Sequence, residues 1–212
     1  MSWVEVRDTL VAMTPVAPSE LATVPNTGVY AWWDLGGAIP WPADFPAVDR
    51  SRPLYVGLTE KGGLDERGVR MHLKTTRMSG LRRNLNALLH DELALFGGVT
   101  AHPKRKMSLT KPLELQLTSW MLDRLTVTWV VHPAPSSVES QIINDVLPPL
   151  NSDFAHRGTY WVHTDRLRRE VHAAAVAAGQ ARGFKPKWSK TDRATSPDSN
   201  NGCESEDQCQ RR

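Results

Sequence analysis

The sequence predicts an α/β fold in which a small three-stranded sheet is flanked by helices, and three observations carry that expectation. Three short runs rich in β-branched and aromatic residues, "GVYAWW" (28–33), "RPLYVGL" (52–58) and "TVTWVVH" (126–132), read as strands. Around them lie longer segments whose apolar residues recur at helical spacing. The chain has 212 residues, 40% hydrophobic and 23% charged, which suits one globular domain with a tail.

In chain order, residues 1–24 read as a lead-in: "VEVRDTLVAM" suits a short helix, ended by Pro15 and Pro18. "GVYAWW" is the first strand of a domain expected over 25–185. A long Pro-, Gly- and Asp-rich connection, "DLGGAIPWPADFPAVDRS", separates it from "RPLYVGL". "LDERGVRMHLK" and "SGLRRNLNALLHDELAL" read as helices. In the second, Ser79 is the cap, Leu81, Leu85, Leu88, Leu89 and Leu95 form a stripe, and Arg82, Arg83 and Asn86 fall elsewhere. "GGVTAHPKRK" reads as a loop, and "KPLELQLTSWMLDRL" as a helix with Leu113, Leu117, Trp120, Met121 and Leu125 on one face. The strand "TVTWVVH" puts Val127, Trp129 and Val131 on one side. "SSVESQIINDVLPPLN" is a helix capped by Ser136 or Ser137 and stopped by Pro148 and Pro149. "TDRLRREVHAAAVAAGQARG" is a last helix, begun by Thr164 or Asp165 and closed by Gly179 or Gly183. Residues 186–212, almost without apolar side chains apart from Trp188, are expected to be disordered.

Composition excludes several classes. No apolar run reaches the roughly 18 residues of a spanning helix, so no membrane partner is expected. The N-terminal stretch carries Glu5, Arg7 and Asp8 where a signal peptide would be apolar, which points to an intracellular, cytoplasmic protein. Cys203 and Cys209 both lie in the polar tail and read as free thiols. Zincin, Walker, nucleophile-elbow and dinucleotide-binding motifs are absent. Net charge is only +3, but ten basic residues face four acidic ones between Lys61 and Lys106. That excess can line a phosphate groove or simply cover solvated helix faces. Trp32, Trp33 and Trp41 suit either the core or base stacking.

Residue types at particular places say more. Gly28-Val29-Tyr30 opens the first strand and Tyr55-Val56-Gly57 lies on the second. Arg67 and His72 follow on a helix, then Glu139 begins another that leads, twelve positions on, to Asn151. This ordered set resembles the GIY-YIG nuclease family from about Gly28 to Asn151. The resemblance implies a mainly antiparallel central sheet, phosphodiester hydrolysis in DNA, and Mg²⁺ (or Mn²⁺) as cofactor. It casts Glu139 as the metal ligand, Tyr30 as general base and Tyr55 as the group that orients water or phosphate. Arg67 would bind phosphate and stabilise the phenolate, His72 would relay a proton or hold phosphate, and Asn151 would complete the set. A phenol titrates near ~10, so the Tyr30 role calls for a nearby cation. Gly57, Lys74, Arg77, Arg82 and Arg83 are the candidate substrate contacts.

Each residue also has an ordinary structural reading: strand tyrosines at a core rim, a first-turn glutamate favoured by the helix dipole, solvated Arg67 and His72, a turn asparagine. Their occurrence together, in family order, favours the nuclease. Two features depart from the family pattern: the long 34–52 connection, and the five-residue step from Arg67 to His72. On a straight α-helix that step leaves the two side chains about 140° apart. Either the helix begins just after Arg67 or His72 lies outside the site, and Arg70 is the rival arginine. The alternatives to an enzyme are a nucleic-acid-binding module of the same fold without turnover and a protein-interaction domain; the sequence leaves oligomeric state open.

Overall fold

The structure, a computed structural model, describes residues 1–20, 26–61, 63–151 and 159–183. The tail expected over 186–212, with Trp188 and both cysteines, lies outside the described residues.

The three expected strands form one antiparallel sheet. β1 (Gly28–Trp33) is central, with β2 (Tyr55–Thr59) on one side and β5 (Thr126–Val131) on the other. The uninterrupted apolar run of β1 follows from its place, because all six residues are buried and the sheet is covered on both faces. Tyr30 and Trp32 point to one face and pack with Val127. Val29, Ala31 and Trp33 point to the other, with Val56 and Val130.

The second face is closed by α1 (Trp3–Ala12) and α5 (Ser136–Val146), whose Val6, Leu10, Ile142 and Ile143 share its core. The segment read as a lead-in is therefore built into the domain. Ser2 and Glu5 form a capping box at the start of α1. Beyond α1, Val16 exchanges two backbone hydrogen bonds with Val127 at the edge of β5.

The first face is covered by a π-helical turn (Asp65–Arg70) running into α2 (Met71–Lys74), then α3 (Gly80–Leu88), α4 (Lys111–Arg124) and α6 (Thr159–Ala177). Among the described residues, no helix is long and apolar enough to cross a membrane.

Several expectations need correction. The "GGVTAHPKRK" stretch is not a loop: β3 (Val99–His102) and β4 (Lys106–Leu109) make a hairpin. Val99, Ala101, Met107 and Leu109 alternate into the core. Its turn residues Lys104 and Arg105 have φ of 59° and 53°, a conformation usually supplied by Asn or Gly, so the sequence carried no hairpin signal. The helix expected to Leu95 ends at Leu88, although Leu89 and Leu95 remain fully buried. α5 has no side-chain cap, because Ser137 Oγ donates to Ala134 O instead. α6 begins at Thr159, and Thr164 bonds the carbonyls of Tyr160 and Trp161 from within it. Of the residues placed on one side of β5, Val131 is exposed rather than buried.

The long connection after β1 is a packed loop. Asp34, itself buried, accepts the N–H groups of Ala38 (2.7 Å) and Ile39 (3.1 Å) and so turns the chain at the strand end. Phe45 stacks on Tyr160 of α6, and Asp44 pairs with Arg166. The insertion is thus anchored on α6.

Candidate active site

Tyr30 is positioned by what its neighbours lack. Gly57 sits directly opposite it on β2, and a Cβ at Gly57 would come within 2.5 Å of Tyr30 Oη. A Cβ at Gly68 would lie 3.0 Å from the ring on another side. The phenol lies across the sheet in room that Gly57 leaves open, and a Cβ at Gly68 would crowd its ring. Gly57 makes room for the phenol, and its backbone is covered by the ring, so its expected substrate contact gives way to this role.

The π turn resolves the awkward Arg67–His72 spacing. Met71 N–H donates to Glu66 O, five residues back, where an α-helix would use four. One extra residue per turn brings side chains five apart onto one face. Arg67 and His72 accordingly line the same cleft of ≈ 140 Å³ with Tyr30, Tyr55, Met71, Met78, Ser79 and Gly80. Arg70, the rival, points away and pairs with Asp65 and Glu66.

Inside the cleft, Tyr30 Oη lies 2.8 Å from His72 Nε2, and Ser79 Oγ lies 2.7 Å from His72 Nδ1. Tyr55 is within 5.3 Å of the imidazole, centroid to centroid. Trp32 braces the back wall by donating from Nε1 to Gly68 O. Ser79 also caps α3, its Oγ accepting Arg82 N–H at 3.0 Å. The imidazole thus bridges two hydroxyls, and the direction of each hydrogen bond follows from which ring nitrogen carries the hydrogen.

Burial depresses the His72 pKa to about 3, helped by the charges of Arg82, Arg67 and Arg83, so the imidazole is neutral. Burial also raises the Tyr30 pKa well above that of a free phenol, with Tyr55 adding to it. Arg67 opposes this without reversing it, and Glu139 raises it further. The expected lowering of the Tyr30 pKa by Arg67 is present but outweighed by burial.

The other candidates lie around this centre. Glu139, half-buried in the first turn of α5, is close enough for its charge to act on Tyr30, although it does not line the cleft. Asn151 is buried behind β2: its Oδ1 accepts Val56 N–H at 2.9 Å and its Nδ2 donates to Val56 O at 2.8 Å. It occupies the open edge of β2 as a neighbouring strand would, and so positions Tyr55 and Gly57 without touching the cleft.

The expected phosphate contacts are corrected most strongly. Arg82 is 0% exposed and cannot reach DNA. It pairs with Glu114 Oε2 at 2.6 Å and donates to His72 O, Thr118 Oγ1 and Glu114 O. Glu114 in turn accepts from Thr76 N–H and Oγ1. This buried pair fixes the 75–79 loop that delivers Ser79 to His72. Lys74 is exposed but paired with Glu66, while Arg83 is half-buried and donates to Arg77 O. Arg77 is exposed. Of the tryptophans, Trp32 and Trp33 are core.

The family model described as the GIY-YIG catalytic domain matches residues 28–170. The chain belongs to the GIY-YIG family. Its three-stranded antiparallel sheet and mixed α/β architecture agree with that assignment, and the family makes this a nuclease-type domain. No curated protein and no solved structure matches the chain.

Sequence reasoning missed Ser79 as a partner of His72, Gly68, and the Arg82–Glu114 pair. A signal existed for Ser79, because an N-cap seven residues after a buried histidine sits where the chain turns back. For Glu114 there was none, since it reads as an ordinary first-turn glutamate.

Among the described residues, no three His, Cys, Asp or Glu side chains converge as a metal cage. Glu139 as a single carboxylate fits instead a hard cation that keeps most of its waters and takes phosphate oxygens.

Proposed function

We propose that this chain is a divalent-metal-dependent endonuclease that hydrolyses phosphodiester bonds in DNA, with Tyr30 as general base. The observation that carries the reading is the convergence of Tyr30, Tyr55, Arg67 and His72 on one cleft, with Tyr30 Oη and His72 Nε2 2.8 Å apart. Arg67, exposed at the lip, binds the scissile phosphate through two donors and supplies the positive charge that favours the Tyr30 phenolate. His72 holds the phenol oxygen; with a pKa of about 3 it is too weak a base to collect the proton. Tyr55 orients water or phosphate. Glu139 would hold Mg²⁺ or Mn²⁺, which when bound neutralises phosphate charge and assists the leaving oxygen.

The raised Tyr30 pKa favours one second reading, a DNA-binding module of this fold without turnover. Cleavage of plasmid and branched DNA separates the two. Glu139→Gln is expected to abolish Mg²⁺-dependent cleavage while DNA binding persists, and Tyr30→Phe to slow it by roughly 10² or more. The wild-type rate is expected to climb from neutral to alkaline pH, because a phenol with a raised pKa is deprotonated more as pH rises. Wild-type protein that cleaves these DNA forms no faster than Glu139→Gln across that range leaves the binding module in its place.

A further inference from the structure

The structure sorts the basic residues by partner. Arg70, Lys74, Arg82 and Arg105 each hold a carboxylate. Arg77, Lys104, Lys106 and Arg182 are exposed and pair with no carboxylate among the described residues. Lys104 and Lys106 lie on the β3–β4 hairpin, Arg182 lies beside it, and the charge of Arg77 reaches it. Lys106 is opposite His102 across the β3–β4 hairpin, on the face turned away from buried Ala101 and Met107. Lys104 is at the hairpin tip. Arg182 N–H donates to Ala101 O at 2.9 Å, which lays Arg182 beside the same strand. Burial lowers the His102 pKa, and the charges of Arg77, Arg182 and His172 lower it further, so both arginines act on the hairpin. Arg77 immediately precedes Met78 and Ser79, which line the cleft.

The turn places two cations in a backbone conformation that costs them strain. Lys104 and Arg105 both occupy the left-handed region, which Asn or Gly adopts with less strain. The chain carries two long cations there instead. One of them, Arg105, braces the hairpin against Asp165 of α6, leaving Lys104 free to project.

We propose that the outer face of the β3–β4 hairpin, with Lys104, Lys106, Arg182 and Arg77, grips the phosphate backbone of duplex DNA and holds the substrate alongside the cleft. This rests on the nuclease reading and moves the DNA surface away from Lys74 and Arg82, whose charges are already spent on carboxylates. The patch offers ammonium and guanidinium groups at the end of a hairpin, which suits phosphates and predicts little dependence on base sequence.

The test measures binding of the full chain to a short duplex in EDTA, by fluorescence anisotropy over a range of NaCl. Lys104→Gln/Lys106→Gln/Arg182→Gln is expected to weaken binding at low salt and lower the log–log salt slope by about 0.9 for each true contact. The two-charge control Lys111→Gln/Arg124→Gln, on exposed positions of α4, is expected to leave the slope near wild type. Lys104→Asn suits the left-handed turn, so weaker binding there cannot be laid to a misfolded hairpin. An unchanged slope in the triple variant, or an equal fall per charge removed in the control, overturns the proposal. Binding is read without metal and cleavage with it, so this surface can fail while the nuclease reading stands. Wild-type protein that does not bind duplex DNA at all overturns this surface, and metal-dependent cleavage decides the nuclease reading separately.

Discussion

The two faces of β1 are equally buried and chemically unlike. On one side, Val29, Ala31 and Trp33 meet α1 and α5 in a mainly aliphatic core, where Trp33 Nε1 donates to Thr128 Oγ1. On the other, Tyr30 and Trp32 meet His72, and behind His72 lie Ser79, Arg82 and Glu114, all hydrogen-bonded. The dry face is specified by volume, whereas the wet face is specified by donors and acceptors that each need a partner. Removing atoms from the first opens a cavity; removing them from the second strands a buried polar group.

The largest expected effect follows from that difference. Arg82→Met keeps much of the side-chain volume but leaves Glu114 buried without its cation, a change that typically costs about 3–5 kcal/mol. Chemical denaturation should show that loss. Arg82→Met/Glu114→Leu should recover part of it, because an apolar pair of similar volume leaves no charge stranded. Cleavage should stay low in the double variant, since the 75–79 loop has lost the bonds that aim Ser79 at His72. A double variant with wild-type cleavage would show that the buried pair serves stability alone.

A smaller effect is written into pH. An ordinary histidine titrates near 6.5, but His72 in the folded chain stays neutral down to about 3. Between these values the unfolded chain binds a proton that the folded chain does not, so this residue makes stability rise with pH and fall on acidification below about 6.5. One proton contributes at most about 1.4 kcal/mol per pH unit. Melting curves from pH 5 to 7 should show a steeper fall on acidification in wild type than in His72→Asn. Equal slopes would mean that His72 is protonated in the fold, and that the wet face is less closed to charge than its bonding implies.

The same contrast explains what the sequence disclosed. β1, β2, β5 and the helices were legible because apolar periodicity records burial, and Tyr30, Tyr55, Arg67 and His72 were legible because the family's residue types recur in order. The β3–β4 hairpin was hidden because Lys104 and Arg105 stand where turn chemistry expects Asn-Gly. The arginines could not be sorted, since a linear sequence does not say which one meets a carboxylate: Arg82, set off the leucine stripe of α3, is among the most buried side chains. The Arg67–His72 spacing counted against the site only while the helix was taken to be regular, and a π turn is a backbone choice with no residue signature of its own here.

The smallest effect probes the dry face. Ile142 is almost fully buried on α5, three residues beyond Glu139 and in the core that backs Val29 and Ala31. Ile142→Val removes one methylene and should lower stability by about 1 kcal/mol. If the two faces act separately, cleavage per folded molecule should be unchanged, because the bonds joining Tyr30, His72 and Ser79 lie on the opposite face of β1. Under the proposed function, Glu139 ties α5 to the chemistry. A cleavage loss in Ile142→Val at a temperature where the protein remains folded would therefore mean that sub-ångström settling of α5 displaces the Glu139 carboxylate, and that the volume of the dry face sets the geometry of the wet one.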